Sequence, residues 1–295
     1  MSGCELCPRR CHVDRKVKTG YCLAGPSVKA ARAALHMWEE PPISGTRGSG
    51  TVFFSGCTLK CCFCQNYRLS HENYGTEIST KRLSEIFLEL QAQGAHNINL
   101  VSATPYTMQI IEALDRAKQA LSIPVVWNSS GYERLETLEL LKGYVDIYLP
   151  DLKYYDASRS ERYSHASDYF TIASRAILAM FAQTGRPVFD AEGMLQKGTV
   201  IRHMVMPGGR ADSIRILEWI AENFSSDEVL VSLMSQYTPF YRSSEFPEIN
   251  RRITSLEYDS VLNRMIALGL TNGYMQEKNS AKEEYTPPFD LTGIL

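Results

Sequence analysis

Beyond residue 64 this 295-residue chain has no cysteine; all eight of its thiols are crowded into the N-terminal part. A chain able to bury a large core does not need disulfide staples, so crowding at one end points to metal ligation. Excess charge of either sign is also missing. The 31 Lys+Arg and 33 Asp+Glu leave a net charge of −2, which gives no electrostatic case for nucleic acid as a partner. No apolar run approaches the ~20 residues that a membrane-spanning helix needs, so no membrane partner is expected. The start, Met1-Ser2-Gly3-Cys4-Glu5, lacks the basic-then-apolar pattern of a secretory signal, and a cytoplasmic location is expected. Internal repeats and low-complexity tracts are absent as well. What remains, 44% hydrophobic and 22% charged residues, is ordinary globular composition.

Two groups of thiols stand out. In the first, the apolar run Thr51-Val52-Phe53-Phe54 leads to Gly56, and Cys57, Cys61 and Cys64 follow at C-x3-C-x2-C. Three thiolates on one short loop can hold three irons of a cubane and leave the fourth iron without a protein ligand. Chemistry needs such an open position, and a structural site avoids it. A zinc loop or a set of buried reduced thiols would fit the same residues. Cys62 could then serve as a fourth zinc ligand, but adjacent Cys61 and Cys62 chelate poorly together because their side chains diverge. Cys62 is therefore expected not to be a ligand. In the second group, Cys4, Cys7, Cys11 and Cys22 are spaced C-x2-C-x3-C-x10-C. Four thiolates there could close a tetrahedral zinc site or hold a second iron–sulfur cluster, or stay reduced and packed.

From residue 51 onward, strand-like and helix-like segments alternate. The expected strands are Thr51–Ser55, Asn97–Val101, Pro124–Asn128, Val145–Leu149, Thr199–Met206 and Val229–Leu233, each short and rich in Val, Ile or Leu. Helical stripes lie between them, such as Leu83, Ile86, Phe87 and Leu90 within residues 80–93. Six β–α units in a row predict parallel strands joined by right-handed crossovers, too few for a closed eightfold barrel. The expected organisation is an N-terminal Cys-rich segment with linker over residues 1–45, an α/β core over 46–240, and a last helix and tail over 241–295. Residues 28–50, with Trp38-Glu39-Glu40-Pro41-Pro42, read as a linker laid on the core. The tail from Tyr274 is expected to cross one end of the barrel.

The C-x3-C-x2-C loop, with aromatic Phe63 before its third cysteine and a strand before its first, resembles the radical S-adenosylmethionine (SAM) superfamily. That resemblance implies a partial (β/α)6 barrel and a 4Fe-4S cluster on Cys57, Cys61 and Cys64. It implies that SAM is chelated by its amino and carboxylate groups at the open iron. The implied reaction is reductive cleavage of SAM, and the 5′-deoxyadenosyl radical so formed abstracts hydrogen from a substrate. A reductant such as flavodoxin or ferredoxin would be a partner, and a protein substrate is one option.

In parallel α/β folds ligands sit at the carboxyl ends of strands. The candidate SAM-binding residues are therefore Ser102 and Thr104 after the second expected strand, Asn128 and Ser129 after the third, Asp151 and Lys153 after the fourth, and Arg202 and His203 on the fifth. For Thr104 a plain helix cap fits equally well, and for His203 a satisfied core histidine. Asp151-Leu152-Lys153 and Ile201-Arg202 resemble glycyl-radical-enzyme activases such as pyruvate formate-lyase activating enzyme. Gln65-Asn66-Tyr67 after the last cluster cysteine, Asn128 and Tyr237 depart from that branch. The readings carried forward are a radical SAM enzyme, an activase, and a non-enzymatic iron–sulfur electron-transfer module.

Overall fold

The structure, a computed structural model, describes residues 3–275 and 286–295. Strand β1 (Val28–His36) leads through the short helix α1 (Pro41–Ser44) to β2 (Ser49–Phe54), and α2 (Tyr67–Ser70) precedes β3 (Thr76–Ile78). There follow α3 (Thr80–Ala92), β4 (Ile98–Val101), α4 (Thr107–Ala117), β5 (Val125–Ser129), α5 (Leu135–Leu141) and β6 (Ile147–Pro150). The second half runs α6 (Ala157–Ser164), α7 (Tyr169–Thr184), β7 (Val188–Phe189), β8 (Leu195–Met204), α8 (Arg210–Asn223), β9 (Leu230–Met234), α9 (Ser255–Ala267) and β10 (Gly273–Met275).

One sheet carries them in the order β10-β9-β8-β6-β5-β4-β2-β1-β3, with β7 paired to β8. From β2 to β10 along this path every pairing is parallel. This is the alternating partial barrel that the six β–α units imply, with β10 as an additional edge strand. Residues 28–36, read as linker, are instead a nine-residue strand antiparallel to both β2 and β3. Residues 286–295 run back along that strand. Leu291 N–H donates to Ala31 O, and Ala33 N–H donates to Thr292 O. Any further expectation for residues 276–285 lies outside the described residues.

Side chains alternate along each strand, so each strand presents two faces with different neighbours. Ile98, Leu100, Trp127 and Tyr148 pack with Ile86, Phe87, Ile110 and Leu114 of α3 and α4. Ile201, Val231 and Leu233 pack with Ile216, Leu217 and Ile220 of α8. The opposite face turns inward. Its lowest layer is Val126, Ile147, Val200 and Leu230, closed by Ile43 of α1. The turn after β1 therefore plugs the barrel from below. Two residues further along each strand, about 6.6 Å higher, the inward positions are Asn99, Asn128, Leu149, Arg202 and Ser232. Above these come Val101, Met204 and Met234. Between the plug and the loop after β2 lies a cavity of about 510 Å³, a volume suited to a small molecule.

Candidate active site

The loop after β2 brings Cys57, Cys61 and Cys64 to one wall of this cavity, while Cys62 is not among its lining residues. Cys62 is tied elsewhere through its backbone: its N–H donates to Tyr163 O at 2.8 Å, and its carbonyl accepts from Arg242 N at 2.9 Å. Two donors point at sulfurs of this wall. Leu59 N–H lies 3.4 Å from Cys57 Sγ, and Ser70 Oγ lies 3.3 Å from Cys64 Sγ. Burial, with the neighbouring thiols adding to it, pushes Cys64 up to about 12, and burial also raises Cys61. Only a bound cation would keep such thiols ionised, since coordinated thiols are deprotonated. Among the described residues no three Cys, His, Asp or Glu side chains are drawn tightly enough to hold a single metal ion. A cubane spreads its three thiolates further apart than one ion does. Three thiols on the cavity wall, with Cys62 turned away, suit a cluster that keeps one iron open.

Facing this wall is a buried polar layer. Arg202 donates from Nε to Asp151 Oδ1 at 3.0 Å, from Nη1 to Glu39 Oε2 at 3.0 Å and from Nη2 to Asn128 Oδ1 at 2.6 Å. Lys153 Nζ donates to Asp151 Oδ2 at 2.6 Å. The other Glu39 oxygen accepts from Asn99 Nδ2 at 3.0 Å and Asn128 Nδ2 at 3.2 Å. Burial alone would push the Asp151 carboxyl up, but Arg202 and Lys153 outweigh it and hold the group below its ordinary range. Burial would likewise lower the Lys153 ammonium, and Asp151 reverses that. The network is one in which each charge answers another.

Of the residues singled out in the sequence, Ser102, Asn128, Ser129, Asp151, Lys153 and Arg202 line the cavity with the three cysteines. Ser102 adopts φ +59°, an uncommon turn for a residue other than glycine, and its N–H donates to Asn128 O at 3.0 Å. Thr104 and His203 do not join them. The Thr104 hydroxyl donates to buried Glu133 at 2.5 Å. His203 sits on the helix-facing side of β8, 1% exposed. Its Nδ1 lies 2.7 Å from Leu152 O and its Nε2 2.8 Å from Ser213 Oγ. The alternation of β8 turns Arg202 inward, so His203 must point outward. Tyr237 lines the cavity with its ring against Phe63, and its hydroxyl donates away to Ile249 O at 2.9 Å. Glu39, Glu40, Asn99 and Ser232 were missed. The signal available was a pair of carboxylates held between Trp38 and Pro41, away from any charged helix face.

The outward placement of His203 carries a pH prediction. Burial lowers the imidazole from 6.5 to about 4, because the neutral ring is the one that fits both partners. The unfolded state then binds more protons in this window. Stability fully present above about pH 6.5 is lost as pH falls toward 4, at a limiting slope of about 1.4 kcal/mol per pH unit. Denaturant melts at pH 7 and 5 should show this slope in the parent protein and a shallower one in His203→Gln. Equal slopes would refute the assignment.

The N-terminal thiols pack against the cluster loop. Burial pushes Cys7 up to about 12, with Cys22 and Cys4 adding to it. Burial also raises Cys22, with contributions from Cys4 and Cys11. Arg9 Nε donates to Thr58 O at 2.9 Å, and its guanidinium stacks 4.2 Å from the Tyr21 ring. Tyr21 OH donates to Leu59 O at 3.2 Å. Gly56 has φ +89°, and a Cβ there would collide with the Cys22 carbonyl. Glycine is required at this contact.

Among the described residues no helix is long and apolar enough to cross a membrane. The chain is 34% identical over 270 residues to the uncharacterized protein MJ0674 of Methanocaldococcus jannaschii, covering 88% of this chain and 73% of that protein. Its fold is similar to the FeFe-hydrogenase maturase HydG from Carboxydothermus hydrogenoformans, with a TM-score of 0.50 and 12% identity over 79% of this chain and 59% of that one. Streptococcus suis SuiB bound to its precursor peptide SuiA gives a TM-score of 0.49 and 14% identity over 75% of this chain, which spans about half of SuiB's length, 46%. At 12% identity the likeness to HydG is one of fold. The family model for the Radical SAM superfamily matches residues 51–220, from the first parallel strand through the eighth helix. A cavity at the strand ends, walled by three thiols, is where that family holds a 4Fe-4S cluster and SAM, and the chain belongs to the Radical SAM superfamily.

Proposed function

We propose that this protein reductively cleaves SAM and abstracts hydrogen from a substrate other than a partner enzyme's glycine. The observation that carries the reading is that Cys57, Cys61 and Cys64 open together on the cavity while Cys62 does not. When bound, the cluster and SAM would supply one-electron C–S cleavage and a 5′-deoxyadenosyl radical. The chain's own residues bind, orient and exclude water. The three thiolates would hold the cluster, with the Leu59 amide and the Ser70 hydroxyl donating to their sulfurs. Asp151 and Lys153 present a paired charge toward SAM, and the Ile43 plug keeps solvent from entering below. Thr104 and His203 drop out of the SAM-binding set and serve the scaffold. A cytoplasmic reductant such as flavodoxin or ferredoxin belongs to this reading. So does a second metal, iron–sulfur or zinc, on Cys4, Cys7, Cys11 and Cys22, whose C-x2-C-x3-C-x10-C spacing supports it.

The activase alternative is weaker because Asn128 stands where that branch has an acidic residue. Here its amide is already committed, donating to Glu39 and accepting from Arg202. Anaerobic reconstitution followed by SAM and dithionite should release 5′-deoxyadenosine. With pyruvate formate-lyase added, electron paramagnetic resonance should find no glycyl doublet. A strong doublet would restore the activase, and no nucleoside release would remove the enzyme reading.

A further inference from the structure

We propose that Glu40, on the floor of the cavity, is the subsite for an ammonium or guanidinium group that the substrate carries on an aliphatic body. The proposal rests on the radical SAM reading of the same cavity and adds to it the chemical class of the second ligand.

Among the described residues lining the cavity, Glu39, Glu40 and Asp151 face two cations, Lys153 and Arg202. Both cations are committed. Arg202 donates from its three nitrogens to Asp151, Glu39 and Asn128, and Lys153 donates to Asp151. Glu40 is the carboxylate left over. Its residue is 8% exposed, and among the described residues its Oε2 has no hydrogen-bond partner. Burial raises its carboxyl, with Arg202 only partly opposing, and Ser232 is its side-chain hydrogen-bond neighbour. A buried acceptor without a donor is costly in a folded protein, and it persists where a ligand supplies the donor. A cationic ligand answers both conditions, since its charge would hold the carboxyl ionised against burial while its N–H donates to the bare oxygen.

Glu40 meets Ser232 of β9, which is in register with Arg202 of β8 and Tyr274 of β10. Below is the apolar plug, which gives no room for the rest of a ligand. Above, one inward position further along β8 and β9, are Met204 and Met234, both on the cavity wall. Unbranched thioether side chains adapt to aliphatic groups of varied shape. A molecule reaching down from the cysteine wall would pass its methylenes between the methionines and set its cation at the carboxylate.

The test uses the reconstituted holoprotein and two probes of matched length, 1,4-diaminobutane and 1,4-butanediol, titrated calorimetrically at constant ionic strength. The parent protein should bind the diamine at least about tenfold more tightly than the diol, as expected for pairing at a desolvated carboxylate. Glu40→Gln should lose that preference and Glu40→Asp should keep it. Met234→Lys, which tethers an ammonium one layer above the intact carboxylate, should abolish diamine binding and serves if Glu40→Gln does not fold. Equal affinity for the two probes, or a preference that survives Glu40→Gln or Met234→Lys, overturns the proposal. So does a Glu40→Gln protein that loses SAM affinity while the diamine preference stays, since the carboxylate would then serve SAM. SAM binding is measured on the same samples. Its presence without a diamine preference sinks this inference alone, and its absence with the preference intact sinks the radical SAM reading alone.

Discussion

Replacing Cys57, Cys61 or Cys64 singly with alanine is expected to bring 5′-deoxyadenosine release below detection and bleach the brown chromophore, while Cys62→Ala keeps both. Each of the three thiols lines the cavity, so losing one leaves an iron without its ligand next to solvent. Cys62 is buried on the other side of the loop, held through its backbone to Tyr163 and Arg242. Iron and sulfide analysis alongside nucleoside release separates loss of cluster from loss of turnover. A Cys62→Ala protein without iron, or a Cys61→Ala protein that still cleaves SAM, would refute the assignment. The triple variant at 57, 61 and 64 also isolates the N-terminal thiols. Metal remaining on it, lost when Cys7 is changed as well, would place a second site at Cys4, Cys7, Cys11 and Cys22. A metal-free triple variant would eliminate that site.

Arg202→Leu should be among the most destabilising single changes in the barrel, by about 3–5 kcal/mol, because it strands two half-buried carboxylates rather than removing one contact. Asp151 and Glu39 each lose a 3.0 Å partner, and Asn128 loses a 2.6 Å donor. The melting temperature should fall by roughly 10 °C. Removing one of the stranded charges should recover part of the loss, so Arg202→Leu with Glu39→Gln is expected to be more stable than Arg202→Leu alone. Thermal melts of the four proteins in this cycle test the point. Strict additivity would mean that the two side chains do not act on one another.

The parallel strands from β2 to β9 were legible in the sequence because strands buried on both faces read as short runs of Val, Ile and Leu. β1 was hidden for a related reason. Val28-Lys29-Ala30-Ala31-Arg32-Ala33-Ala34-Leu35-His36 is rich in alanine and cations, which are poor strand formers, and only pairing with β2 and β3 makes it one. That three thiols share one wall was legible from spacing, since they lie within one loop. The floor was not. Glu39 meets Asn99, Asn128 and Arg202 across 60, 89 and 163 positions of chain, and no local pattern records such contacts. Arg202 and His203 could not be told apart until the helices showed which face of β8 they cover.

The plug has a consequence for the order in which the molecule can be made. Ile43 leaves the ribosome early, yet its partners Leu195, Val200 and Leu230 belong to strands synthesised long afterwards. Loop closure over such separations must precede any reward from the contact, which slows folding. A nascent chain that ends before β8 carries a complete cysteine loop but a barrel with no bottom. Metal capture could thus begin on a chain whose binding chamber does not yet exist, and the chamber closes only when nearly the last strand has been made.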